Sequence, residues 1–262
     1  MTDVAATPLL EVTKLTRNFG GLVAVDRVDM AVPPGEIRGL IGPNGSGKST
    51  LLNLVSGVYT VSSGRISLAG KDITRAGAAA RTRNGIARTF QNIRLFGKMT
   101  VLENVAAAAF CRSRAGLARI VLRTPGMRAE ERQIQERARD ALAAVGVLDR
   151  ADDYPGDLPY GKRRLVEIAR ALVTEPALLL LDEPAAGLTS GEKAELLTLI
   201  RRLNEERELT LVLVEHDMKV IMNVCDHISV LNFGAKIGEG SARDVRRNPA
   251  VIEAYLGKDD DA

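Results

Sequence analysis

The sequence predicts an α/β fold in which a parallel sheet is covered by helices on both faces, and three observations predict it. From Tyr160 onward, helical and strand patterns alternate. The run Leu178 to Leu181 is apolar at every position, as a strand buried on both faces must be. The first seventy residues are β-rich, whereas Thr100 to Val147 is helical. With 262 residues, 45% of them apolar, the chain can bury a full core in one compact domain or in a domain with a sizeable subdomain. No internal repeat is visible, so it reads as one unit and not a tandem pair.

In chain order, short β-segments are expected at Leu9 to Val12, Val28 to Val32, Ile37 to Ile41 and Arg65 to Ala69. Pro33-Pro34-Gly35 closes the second and Ser62-Ser63-Gly64 opens the fourth. Thr50 to Val55 opens a helix that stops at Gly57. From Thr100 the chain is Ala-rich and helical, then charged at i, i+4 from Arg128 to Arg139, with a break at Thr124-Pro125-Gly126. A helix from Tyr160 to Val173, a strand at Leu178 to Leu181, a helix from Ser190 to Arg207 and a strand at Leu209 to Val214 follow. A further helix precedes the strand Ile228 to Leu231, and Lys258 to Ala262 is a solvated tail.

Composition removes several function classes. Apolar runs such as Ala177 to Leu181 fall far short of the roughly 18 residues that cross a bilayer. The N-terminus carries Asp3 and no basic stretch leading into an apolar one, so no secretory signal is read and the chain is expected in the cytoplasm. Two cysteines and two histidines, without paired spacing, argue against disulfides and structural zinc. The net charge of +3 is unevenly spread: Ile73 to Arg128 carries +10 and the remainder −7. Such asymmetry suits an anionic surface, or a solvated face of Arg-rich helices.

Gly42, Pro43, Asn44, Gly45, Ser46, Gly47, Lys48 and Ser49 fit the G-x-x-x-x-G-K-[ST] phosphate loop, between an apolar strand run and the helix at Thr50. Glycines let successive N–H groups turn toward a phosphate at a helix N-terminus. Lys48 then reaches the β/γ oxygens of a nucleotide and Ser49 the Mg²⁺. Leu178 to Leu181 delivers Asp182 and Glu183 at a strand end, where Asp182 is placed for the Mg²⁺ shell and Glu183 to orient and activate the attacking water.

Beyond these motifs, nearly the whole chain resembles ABC ATPases. Gln91, in Arg88-Thr-Phe-Gln-Asn, is similar to the family's glutamine loop, which senses the Mg²⁺ and faces the membrane subunits. Leu158-Pro-Tyr-Gly161-Lys, with the following helix Arg164 to Ala171, resembles the family signature. By that match Pro159, Tyr160, Gly161 and Lys162 face the nucleotide of a second subunit. Glu215-His216-Asp217 resembles the switch-histidine loop, which implies His216 at the γ-phosphate. Phe19 matches the position where the family stacks an aromatic on adenine, a core Phe at a strand end being the alternative. Two departures stand out. Pro159 occupies the place of the signature serine and Thr189 that of an aspartate; Thr189-Ser-Gly-Glu192 instead reads as a capping box.

The resemblance implies a P-loop NTPase (RecA-like) core with an N-terminal antiparallel β-subdomain, spanning 9–90 and 166–257, and an inserted α-helical subdomain at 91–165. It implies ATP and Mg²⁺ as cofactors, with Lys48, Gln91, Glu183 and His216 in catalysis, Thr50 joining the phosphate loop at the nucleotide, and Ser49, Gln91 and Asp182 at the metal. It also implies a head-to-tail partner ATPase subunit, membrane permease subunits, indirectly a solute-binding protein, and a place on the inner face of the cell membrane. Leu122 to Arg128, Glu215 to Met222 and Asn248 to Gly257 resemble the subgroup that serves branched-chain amino acid importers. An importer of another small solute, such as urea or an aromatic acid, stays open. A nucleic-acid ATPase is disfavoured, because neither a long coiled coil nor a second ATPase unit is visible.

Overall fold

The computed structural model describes residues 7–112 and 125–256. Among the described residues ten strands form two sheets. The antiparallel sheet has the order β2-β1-β4-β5, from β1 (Leu10–Phe19), β2 (Leu22–Val32), β4 (Ser63–Leu68) and β5 (Lys71–Asp72). The larger sheet runs β10-β9-β3-β8-β7-β6, from β3 (Ile37–Ile41), β6 (Ile86–Arg88), β7 (Leu178–Asp182), β8 (Thr210–Val214), β9 (His227–Asn232) and β10 (Ala235–Gly240). All its pairings are parallel except β10 with β9. The described helices are α1 (Lys48–Val55), α2 (Ala78–Arg83), α3 (Val101–Ala109), α4 (Pro125–Ala144), α5 (Tyr160–Leu172), α6 (Ser190–Arg207), α7 (Met218–Val224), α8 (Ala242–Arg247) and α9 (Pro249–Leu256).

Every residue of β3, β7 and β8 is buried, which explains their unbroken apolar runs. The two-residue period of a strand divides them between two cores. Leu179 and Leu181 face a core shared with α3 to α7, whereas Leu178 and Leu180 face one built from α1 and the antiparallel sheet. A Thr100–Glu103 capping box fixes the start of α3, which packs with α4 and α5 into a helical unit. The expected boundary at residue 165 falls inside α5, a continuous helix.

β1 and β2 are longer than the alternation of apolar residues indicates. Register shifts between Val12 and Leu15, with Lys14 and Arg27 at positive φ, are bulges that interrupt the pattern without ending the strands. Pro125 begins α4, the position where proline needs no N–H partner, so the expected break at residues 124–126 is where this helix starts, Thr124 itself lying outside the described residues. The tail at 258–262 also lies outside them.

The +10 region is not one cationic face. Arg81 is buried and donates to the carbonyls of Leu54 and Val55, of Ala76 and of Thr74. Arg88 is turned inward onto Asp182. Arg75, Arg83, Arg94 and Lys98 are exposed, and Arg114, Arg119 and Arg123 lie outside the described residues.

Candidate functional site

The loop between β3 and α1 is shaped by what surrounds it. A Cβ on Gly42 would lie 2.1 Å from the Leu231 carbonyl oxygen, and one on Gly47 2.6 Å from that of Ala24. Both glycines also have positive φ, so only glycine fits. Gly47 caps α1 and offers its first N–H groups no side-chain acceptor, which leaves that end of the helix suited to an anion. Ser46 N donates to Pro43 O at 3.2 Å and Gly234 N to Ser46 O at 3.0 Å, tying the loop to the β9–β10 turn. The Lys48 ammonium folds back on Gly42 O at 2.7 Å and Pro43 O at 2.9 Å. Burial lowers its pKa, against the opposing pull of Glu183 and Asp182. Asn44, Gly45 and Ser49 are exposed, and Thr50 is half-buried.

At the end of β7 the carboxylates diverge. Asp182 is buried and accepts from Arg88 Nη2 at 2.9 Å. Glu183 has φ +48, a strained conformation for a side-chain-bearing residue. Its Oε2 accepts from Gln91 Nε2 at 2.8 Å, and His216 Nδ1 lies 3.8 Å from the same oxygen. Three expected residues from three segments of sequence thus meet at one oxygen. Behind them Glu215 is fully buried and accepts from Ala185 N at 2.8 Å; burial pushes its carboxyl above the usual range, helped by Glu183 nearby.

The signature segment packs elsewhere. Tyr160 lies over the Gly187 turn, where a Cβ would stand 3.0 Å from its ring, and Gly161 abuts Glu192. Lys162 is exposed. Pro159 is the N-cap of α5, with φ −56 and ψ 154, one residue before the first helical position, Tyr160. The Thr189–Glu192 capping box is present as expected. Phe19 ends β1 half-exposed, edge-on to Tyr59 with centroids 5.3 Å apart and with the Arg17 guanidinium 4.5 Å over its ring.

Several residues that hold these groups have no role of their own in the motifs read from the sequence. Arg164, fully buried, donates to Phe90 O at 2.9 Å, Gln91 O at 2.8 Å and Glu167 at 3.0 Å. Glu167 accepts from Arg94 N, and Arg170 donates to Arg94 O. One face of α5 therefore clamps the glutamine loop. The i, i+3, i+6 spacing of Arg164, Glu167 and Arg170 is the available sequence signal, since it puts three charges on one helix face.

The profile of the ABC transporter family matches residues 25–186. This chain belongs to the ABC transporter family. A second profile, of branched-chain amino acid ATP-binding cassette transporters, matches residues 235–261 of this ABC protein. It is 42% identical over 251 residues to the high-affinity branched-chain amino acid transport ATP-binding proteins BraF of Pseudomonas aeruginosa and LivG of Escherichia coli K12, covering 96% of this chain and 98% of each relative. Among solved structures it is similar to MJ1267, an ATP-binding cassette of an ABC transporter, in an ADP conformation, at TM-score 0.83 and 32% identity, covering 96% of this chain and 99% of that one. The dimeric cassette MJ0796 bound to ADP and Pi aligns at TM-score 0.74 and 26% identity, over 89% of this chain and 99% of that one. The P-loop fold with mixed α/β architecture is thus that of ABC cassettes, and a nucleotide is the ligand of the family. Within the described residues no helix is long and apolar enough to cross a membrane.

Among the described residues no group of three or more His, Cys, Asp and Glu could hold a metal by itself. The residues expected at the metal from the sequence, Asp182, Ser49 and Gln91, each offer an oxygen, the donor type that suits Mg²⁺.

Proposed function

We propose that this chain hydrolyses ATP to energise an importer of branched-chain amino acids. The observation that carries the chemistry is the convergence of Gln91 and His216 on Glu183 Oε2, beside Asp182 and the phosphate loop. The loop N–H groups and Lys48 hold the phosphates. Ser49, Gln91 and Asp182 would hold Mg²⁺, which supplies charge neutralisation at the β and γ oxygens. Glu183 accepts the proton of the attacking water, Gln91 fixes the orientation of its carboxylate, and His216 meets the γ-phosphate. Phe19 stacks on the base.

Two subunits pack head to tail, so that the Pro159–Lys162 segment of one completes the site of the other. Membrane permease subunits dock near Gln91, a solute-binding protein acts through them, and the complex lies on the inner face of the cell membrane. The closed pair is favoured by ATP because only that state gives the nucleotide contacts from both halves.

Glu183→Gln tests the chemistry. It retains ATP binding and lowers turnover by roughly 10²–10⁴-fold, the usual contribution of a general base; turnover at the normal rate overturns the role of Glu183. The substrate is tested by reconstituting the chain with the membrane subunits that co-purify with it. ATP-driven uptake of leucine, isoleucine and valine is expected, and uptake of urea or an aromatic acid in their place overturns the assignment.

A further inference from the structure

Arg88, the last residue of β6, bonds on two sides. Its Nη2 donates to Asp182 Oδ2 at 2.9 Å, in an ion pair whose side chains are only 7% and 9% exposed. Its Nη1 donates to Asn53 Oδ1 at 2.6 Å and Ser56 Oγ at 3.0 Å, at the C-terminal end of α1. The guanidinium carbon lies 5.1 Å from the centroid of the Phe90 ring, one residue before Gln91. A carboxylate as deep as Asp182 needs a positive partner, and Arg88 is the cation that bonds it directly, with the Lys48 ammonium also within electrostatic reach.

We propose that Arg88 is a positioning residue for the metal-shell carboxylate, holding Asp182 in line with α1 while its own charge weakens the divalent cation's hold on that carboxylate. The inference rests on the reading of Asp182 as a metal-shell residue given above. The guanidinium engages Oδ2, so Oδ1 would be the carboxylate oxygen left for a cation. Two effects of opposite sign follow. Removing the fork frees the Asp182 rotamer, which misplaces the cation and slows turnover. Removing the like charge favours the cation, and for a short, two-rotor side chain in a buried site this electrostatic gain exceeds the small rotamer entropy lost.

The test measures the Mg²⁺ concentration that half-saturates binding of trinitrophenyl-ATP, together with turnover. Arg88→Gln is expected to lower the half-saturating Mg²⁺ roughly tenfold while lowering turnover roughly 10–100-fold, the range for residues that orient a metal ligand. Arg88→Lys, which keeps the charge, returns the Mg²⁺ dependence to that of the unaltered chain. Asn53→Ala loosens the fork without touching charge, so it slows turnover at unchanged Mg²⁺ dependence. Arg88→Gln that needs equal or more Mg²⁺, or turns over normally, overturns the proposal. If Arg88→Gln fails to fold, Asn53→Ala decides: normal turnover or a shifted Mg²⁺ dependence overturns it. Asp182→Asn separates the two readings. Nucleotide binding by Asp182→Asn with unaltered Mg²⁺ dependence removes Asp182 from the metal shell, whereas loss of that dependence with no shift in Arg88→Gln removes only the role of Arg88.

Discussion

Lys48→Ala removes a buried ammonium that closes the phosphate loop through Gly42 O and Pro43 O and that is proposed to bridge the phosphates. One bond to a charged group is worth about 1.5–3 kcal/mol, so ATP affinity is expected to fall at least tenfold by fluorescent nucleotide titration. Unchanged affinity removes Lys48 from the site. Glu215 gives a pH-dependent prediction. Burial raises its folded pKa above the ordinary value of about 4.3, so its contribution to stability is full below that value and is lost as pH rises through the folded one. Glu215→Gln, which keeps an acceptor for Ala185 N, should therefore melt higher than the unaltered chain at pH 8. The difference should vanish toward pH 4. A difference that grows on acidification contradicts the buried, raised carboxyl. At this scale the residues proposed to hold nucleotide stand out in the sequence because the spacing of a phosphate loop is dictated by phosphate geometry. Arg88, Glu215 and Arg164 were not, because a residue that acts through another needs only a three-dimensional neighbour, and no fixed spacing records it.

Helix α5 begins at a proline that supplies no side-chain acceptor to the first N–H groups. Serine is among the preferred N-caps, so Pro159→Ser is expected to stabilise the chain by about 1 kcal/mol in denaturant unfolding. The same hydroxyl would also tighten ATP-dependent pairing of two subunits, and comparing melting with and without ATP separates the effects. A loss of stability would show that the fixed φ of proline outweighs the cap. Among the elements, β3, β7, β8 and α6 were readable to within a residue or so, since full burial or a capping box marks their ends. β10 was not. Its AKIGEG sequence has no apolar run, and it is held at the sheet edge by pairing with β9 alone. The short strand β6 was hidden for a related reason, being only three residues long.

At the scale of the whole molecule, Glu183→Gln measures the proposed head-to-tail pair directly. By sedimentation this variant should be a dimer in ATP and a monomer in ADP, since blocked hydrolysis holds the closed state. A monomer in ATP would withdraw the paired site and with it the role of Pro159 to Lys162. The overall architecture could be read from the sequence because alternating strands and helices admit few topologies. The destination of the basic region could not, since a count of arginines does not distinguish those that face outward from Arg81, which lies inside. That buried guanidinium has a consequence for the nucleotide. It binds the carbonyls that end α1, so the negative pole of this eight-residue helix carries a permanent cation, while the positive pole opens at Gly47. The short helix is thereby anchored at its far end before any phosphate arrives. Preorganisation of this kind spares binding the entropy of ordering the loop, so substituting Arg81 would weaken ATP from the opposite end of the helix, without ever touching it.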